Sequence, residues 1–97
     1  MVYNVDIDGM LCHNTSYKNF ANAVPIKQNI ENINYLFEAN NKIVLFTSRR
    51  TTDREVTEKW LAENKVKYNE LIFDKPVADF YIDPNSLSFI PASIAKL

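Results

Sequence analysis

Val2-Tyr3-Asn4-Val5-Asp6-Ile7-Asp8-Gly9 is the stretch on which the reading of this chain turns. Residues 2–5 are apolar-rich and β-prone, and so short a run leading directly into a turn reads as a core strand. At its carboxyl end stand two carboxylates two residues apart, Asp6 and Asp8, followed by Gly9, the only glycine in the protein. Glycine there permits a sharp turn that a side chain would strain. In an open α/β sheet, ligands bind outside the carboxyl ends of the strands, so both acids fall where chemistry is expected.

Outward from that stretch, strands and helices alternate. Residues 10–24 carry no sustained periodicity and are rich in Asn, Thr and Ser, which predicts a loop with room for a short helical turn. A loop of that length in a compact domain is usually functional. Pro25 opens a predicted helix in which Ile26, Ile30, Ile33 and Phe37, flanked by Leu36, form one apolar stripe; Asn40-Asn41 ends it. Ile43-Val44-Leu45-Phe46 is a continuous apolar run, the mark of a parallel strand buried on both faces, and Thr47-Ser48-Arg49-Arg50 follows it. Thr52 and Glu55 have capping-box spacing, predicting a helix through about Glu63 with Val56, Trp60 and Leu61 inward. Residues 68–73 and 79–82 supply a third and a fourth strand. Pro84 and Pro91 break the tail before a short terminal helix over residues 92–96. Strand–helix alternation without a hairpin signal means crossover connections and a mostly parallel sheet.

Composition narrows the function classes. A chain of 97 residues is one domain with a modest core. Net charge is −1 and no Lys/Arg run is present, which argues against non-specific nucleic-acid binding and against an electrostatic membrane anchor. Cys12 is the only cysteine, so no intramolecular disulfide exists. Cys12 and His13 do not make a nucleophile–base pair, because adjacent side chains seldom face each other and no third group orients them. The first strand begins without a basic and apolar leader, and no apolar run reaches membrane-spanning length, so a cytoplasmic protein is expected.

Polar residues recur where the predicted strands end: Asp6 and Asp8 after the first, Thr47 and Ser48 after the second, Asp83 after the fourth. Lys75 lies in the connection leading to that fourth strand. A parallel sheet puts these ends on one rim, where distant segments converge on one crevice. Three carboxylates there repel one another unless something positive sits among them, and Mg²⁺ with carboxylates, water and a substrate phosphate is the ordinary solution. A hydroxyl and an ammonium facing the same point suit the remaining phosphoryl oxygens.

Asp6-x-Asp8-Gly9, Thr47 after an apolar strand, Lys75-Pro76, and Asp83 closing a late strand resemble the four ordered motifs of the haloacid dehalogenase superfamily. The Thr47-Ser48-Arg49 string and the segment from Lys75 to Asp83 are similar to its small bacterial phosphatases, some of which serve surface-polysaccharide pathways. The resemblance implies a Rossmann-like, three-layer α/β core with a small parallel sheet and no large cap. The first strand, which carries the acid motif, would sit centrally between the second and fourth strands, and residues 10–25 would lie over the active site. It implies an Mg²⁺-dependent phosphatase acting on a small soluble phosphate monoester, a sugar phosphate ahead of an amino-alcohol phosphate or a nucleotide. Asp6 would be the nucleophile, Asp8 the acid and base, Thr47 a phosphoryl contact and Lys75 the neutralising cation. Mg²⁺ would be held by the Asp6 carboxylate, the Asp8 backbone carbonyl and Asp83. Gly9, His13, Ser48 and Arg49 would line the substrate side, and the crevice would be roofed by residues 10–24, by a neighbouring subunit of a homo-oligomer, or hardly at all. Pro84 follows Asp83 where relatives often carry a second acid; Asp79, roughly 13 Å back along an extended strand, is assigned a structural role. That departure motivates one rival, a silent binding or regulatory relative. A phosphotransferase using the same nucleophile is the other.

Overall fold

A computed structural model describes residues 1–80. Strand β1 (Val2–Val5) is followed by a 3-10 segment (Tyr17–Asn22), helix α1 (Lys27–Glu38), strand β2 (Lys42–Phe46), a 3-10 turn (Thr51–Asp53), helix α2 (Arg54–Glu63) and strand β3 (Glu70–Ile72). The sheet is parallel in the order β1-β2-β3, with Val5 opposite Leu45 and Phe46 opposite Ile72. This is a small α/β arrangement compatible with a Rossmann-like fold, with β2 central among the described strands. The expected fourth strand lies partly outside the described residues, as do Asp83, Pro84, Pro91 and the expected terminal helix over residues 92–96. No helix among the described residues is long and apolar enough to cross a membrane.

Every interior residue of β2 is buried. Ile43 and Leu45 join a cluster with Val5, Ile7, Ile30, Trp60 and Leu61, while the intervening Val44 points to the other face and is buried too. Strands added in one direction through two right-handed crossovers put both helices on the same face. Accordingly, Ile30 of α1 and Trp60 and Leu61 of α2 meet in that one cluster. The described residues therefore make two layers, and the third expected layer is not among them.

Three boundaries differ from the sequence expectation. Pro25 does not open α1; it forms a bridge with Cys12, and the helix starts at Lys27. The Thr52/Glu55 cap is displaced: the Arg50 N–H donates to Asp53 Oδ2 at 3.2 Å and the Asp53 N–H returns to the Arg50 carbonyl at 2.8 Å. Residues 10–24 are also not a plain loop. Cys12 bridges Asp8 and Pro25, the 3-10 segment kinks at Asn19, and Leu11, Cys12, Phe20 and Ala23 are buried. Trp60 Nε1–H donates to the Ala23 carbonyl at 2.9 Å, tying that segment to α2.

Candidate active site

The site forms where β1 gives way to a tight turn. The N–H groups of Met10, Leu11 and Cys12 all point at the Ile7 carbonyl, at 3.2, 2.8 and 3.3 Å, and the Gly9 N–H donates to the Cys12 carbonyl at 2.8 Å. Gly9 holds φ +86°, and a Cβ there would meet Asn14 Oδ1 at 3.3 Å. The turn sends the Asp6 and Asp8 side chains into different surroundings.

Asp6 is half exposed. Its Oδ1 accepts the Ile7 N–H at 2.9 Å, and Lys75 Nζ approaches Oδ2 at 3.9 Å. Burial pushes the Asp6 carboxyl above its ordinary value and Asp8 adds to the rise, while the Lys75 ammonium, the Ile7 N–H and Arg49 oppose it. Lys75 arrives through backbone ties between strand ends. Thr47 N–H donates to the Ile72 carbonyl at 2.9 Å, Asp74 N–H to the Arg49 carbonyl at 2.8 Å, and Lys75 N–H to the Thr47 carbonyl at 2.9 Å. Its ammonium also lies 5.4 Å from the Phe46 ring centroid.

Asp8 is gripped by a fork. Arg49 Nε–H donates to Oδ2 at 2.9 Å and Nη2–H to Oδ1 at 2.8 Å, and the Cys12 thiol lies 3.5 Å from Oδ1. Planar bidentate pairing of this kind fixes orientation as well as charge. Arg49 is fixed in turn: its Nη1–H donates to Thr57 Oγ1 at 3.0 Å, and its guanidinium carbon lies 3.7 Å from the Phe20 ring centroid.

Two of the expected substrate contacts have partners within the protein. The Arg49 side chain is 1% exposed and its donors face Asp8 and Thr57. The Thr47 hydroxyl is fully buried and accepts the Arg49 N–H at 3.1 Å, because the strand end folds back on itself there. Ser48, the next residue, is exposed on the rim. His13 is exposed too, its N–H donating to the Val24 carbonyl at 2.9 Å. Phe20, Thr57 and the thiol contact of Cys12 were absent from the sequence-based site; nothing in local spacing marks a phenylalanine in an aperiodic segment or a threonine inside a helix as partners of one arginine.

Among the described residues, no group of three or more His, Cys, Asp or Glu side chains is arranged to hold a metal ion. The donor set that the described residues offer is the Asp6 carboxylate and the Asp8 backbone carbonyl, both hard oxygens of the kind Mg²⁺ takes. Burial disfavours the Asp6 charge, Lys75 stands 3.9 Å off, and the Arg49 guanidinium is engaged by Asp8. Asp83 lies outside the described residues.

No family model and no curated protein matches the chain. Solved structures do. The chain is similar to a structural-genomics target from Vibrio cholerae, at 24% identity and a TM-score of 0.77 over 99% of this chain and 88% of that one. It is also similar to a chain of the Pnkp1/Rnl/Hen1 complex, at 21% identity and a TM-score of 0.67 over 87% of this chain and 30% of that one. A chain of the Pnkp1/Rnl/Hen1 RNA repair complex matches at 21% identity and a TM-score of 0.66, over 82% of this chain and 27% of that one. At these identities the likeness establishes the fold alone.

Proposed function

We propose that this chain is an Mg²⁺-dependent phosphatase that hydrolyses a small phosphate monoester, such as a sugar or amino-alcohol phosphate, through an aspartyl-phosphate intermediate. The observation that carries the reading is the pairing of unlike carboxylates at one strand end, Asp6 half exposed beside Lys75 and Asp8 locked by Arg49. Two acids with divided environments suit divided roles. Asp6 Oδ2, the oxygen facing Lys75, attacks phosphorus as the bond to the leaving oxygen breaks. The Asp8 carboxyl gives its proton to that oxygen, and the alcohol departs. The Asp8 carboxylate then takes a proton from water, whose oxygen attacks phosphorus, and the bond electrons return to the Asp6 carboxylate. Lys75 offsets charge between nucleophile and phosphate, and a hydroxyl at the end of β2, that of Thr47 or of its exposed neighbour Ser48, donates to a phosphoryl oxygen. Mg²⁺, held by the Asp6 carboxylate, the Asp8 carbonyl and Asp83, would draw charge from the phosphoryl oxygens.

The test is phosphate release from a panel of monoesters, with Mg²⁺ and with EDTA, for wild type and Asp6→Asn. Because two fold neighbours come from an RNA repair assembly, the panel includes a 3′-phosphorylated nucleotide. Metal-dependent turnover that falls by about 10³-fold or more in the variant is expected, since loss of a covalent nucleophile leaves only binding and charge stabilisation. Turnover surviving Asp6→Asn would assign the nucleophile elsewhere. No turnover from a folded, Mg²⁺-binding protein would point to a silent relative.

A further inference from the structure

We propose that Asp74 is a positioning residue for Lys75: it forms a bulge after β3 that turns the lysine ammonium toward Asp6. In its kinetic consequence the inference rests on the phosphatase reading, which it deepens by assigning the placement of the neutralising cation to a residue not otherwise part of the site.

The bulge is visible in the backbone hydrogen bonds. In a parallel ladder, the N–H and C=O of one residue bond to neighbouring-strand residues two positions apart. Thr47 N–H donates to the Ile72 carbonyl at 2.9 Å, so a regular ladder would bring the Asp74 N–H to the Thr47 carbonyl. The Lys75 N–H takes that place instead, at 2.9 Å, and the Asp74 N–H goes to the Arg49 carbonyl at 2.8 Å. One extra residue has entered the strand. Asp74 holds φ +62°, the left-handed conformation that bulges of one kind require.

That extra residue decides which way Lys75 points. Side chains alternate along a strand. Leu71 packs against the core cluster, and Phe73 is buried with its ring centroid 4.7 Å from the guanidinium carbon of Arg54 in α2. A regular continuation would put residue 75 on that same helix side. A slip of one residue moves a side chain to the opposite face. Lys75 Nζ accordingly lies 5.4 Å from the ring centroid of Phe46, which alternation places on the Val44 face, and 3.9 Å from Asp6 Oδ2.

Two features hold the bulge. Thr51 Oγ1–H donates to Asp74 Oδ2 at 2.5 Å, which fastens the side chain to the 3-10 turn before α2. Pro76 disfavours a helical conformation at Lys75, so the chain extends again after the bend. Aspartate and asparagine enter the left-handed region more readily than other residues that carry a Cβ. Asp74 and Thr51 are both exposed, so substitution there leaves the core packing in place.

The experiment is a double-mutant cycle assayed on 4-nitrophenyl phosphate. Asp74→Asn keeps an acceptor and tolerates the conformation, and its kcat/KM should stay within about threefold of wild type, whereas Asp74→Ala should lose about tenfold, mainly in kcat. In a Lys75→Met background the Asp74→Ala loss should disappear, because residues that act through one group are not additive. An undiminished loss in that background, equal losses for Asp74→Asn and Asp74→Ala, or no loss for Asp74→Ala would overturn the role. A second measurement does not need turnover. In proton NMR, nuclear Overhauser contacts between the Lys75 methylenes and the Phe46 ring should appear in wild type and Asp74→Asn and vanish in Asp74→Ala. Contacts absent from wild type, or retained in Asp74→Ala, would overturn the positioning. A wild type without turnover on any monoester would remove the phosphatase reading, and the ring contacts would still decide whether Asp74 places Lys75.

Discussion

Asp6 and Asp8 leave the same strand two residues apart, yet the protein treats them in opposite ways. Asp8 is enclosed by donors, and each atom that holds it is held by another: Arg49 by Thr57 and Phe20, Cys12 by the bridge to Pro25. Among the described residues Asp6 meets one backbone donor and one ammonium at a distance, and burial works against its charge. A group that moves a proton needs a fixed direction, whereas one that attacks phosphorus beside a cation needs unsatisfied charge. The contrast teaches that the fold uses its rigidity on one of two neighbouring acids, and under the proposed function the other is the one a ligand completes.

The sharpest way to break the contrast is at Arg49. Arg49→Leu strands the Asp8 carboxylate beside Cys12, and removal of one member of a well-buried pair costs about 3 kcal/mol. Asp8 is 22% exposed in its side chain, which puts the loss at the low end of what buried pairs show. Urea unfolding at neutral pH measures it, and a loss below 1 kcal/mol would make the fork a surface ion pair in energetic terms. The turn between the acids comes next. Gly9→Ala places a Cβ at φ +86° and within 3.3 Å of Asn14 Oδ1, for an expected loss of about 1–2 kcal/mol. Turnover should fall with it, because the same turn aims both carboxylates.

How much of this was legible in the chain divides along the same line. The strand-end acids, the single glycine and the parallel βαβ order rest on local signals, a short apolar run, a turn residue and strand–helix alternation, and these appear in the structure. Lys75 was placed on the rim by topology, and backbone ties between β2 and β3 bring it to Asp6. The support of Asp8 was not legible. Arg49 follows an apolar strand in a Thr-Ser-Arg-Arg string, where arginine is usually solvated, and its burial depends on Phe20 and Thr57, neither of which is its neighbour in sequence. The short 3-10 segment that delivers Phe20 has too few residues to express a helical period. Proline's helix preference points Pro25 to the start of α1, but pairing with Cys12 takes precedence and the helix starts at Lys27.

A smaller effect sharpens the Asp6 side. Burial raises its carboxyl above the ordinary 3.8, so the folded state binds protons more readily than the unfolded chain. That sign makes the ionised Asp6 a liability: stability falls as pH rises from the unfolded value through the folded one, and stays reduced above it. Asp6→Asn should therefore unfold at a temperature equal to or slightly above wild type at pH 7 without metal, and lose that advantage below about pH 3.8. Added Mg²⁺ should raise the wild-type midpoint and leave the variant unchanged, since only the form that binds the ion gains from it. A variant that melts well below wild type at pH 7 would mean that Asp6 is structural.

The last prediction concerns Cys12, where neutral-pH stability should not move at all and reactivity should. The thiol is fully buried, and burial first, then the neighbouring Asp8 charge, pushes it up from 9.0 to about 11. The thiolate is the reactive form, so at pH 8 Cys12 should resist iodoacetamide in the native protein and react readily in urea. Its stability dependence has a definite sign. The folded state keeps the proton longer, so stability is flat below pH 9 and declines as pH climbs from 9 toward 11. Asp8→Asn removes the second cause of the shift while Arg49 still opposes it, and native-state alkylation should then become measurably faster. If Asp8→Asn leaves the rate unchanged while urea still accelerates it, burial alone protects the thiol.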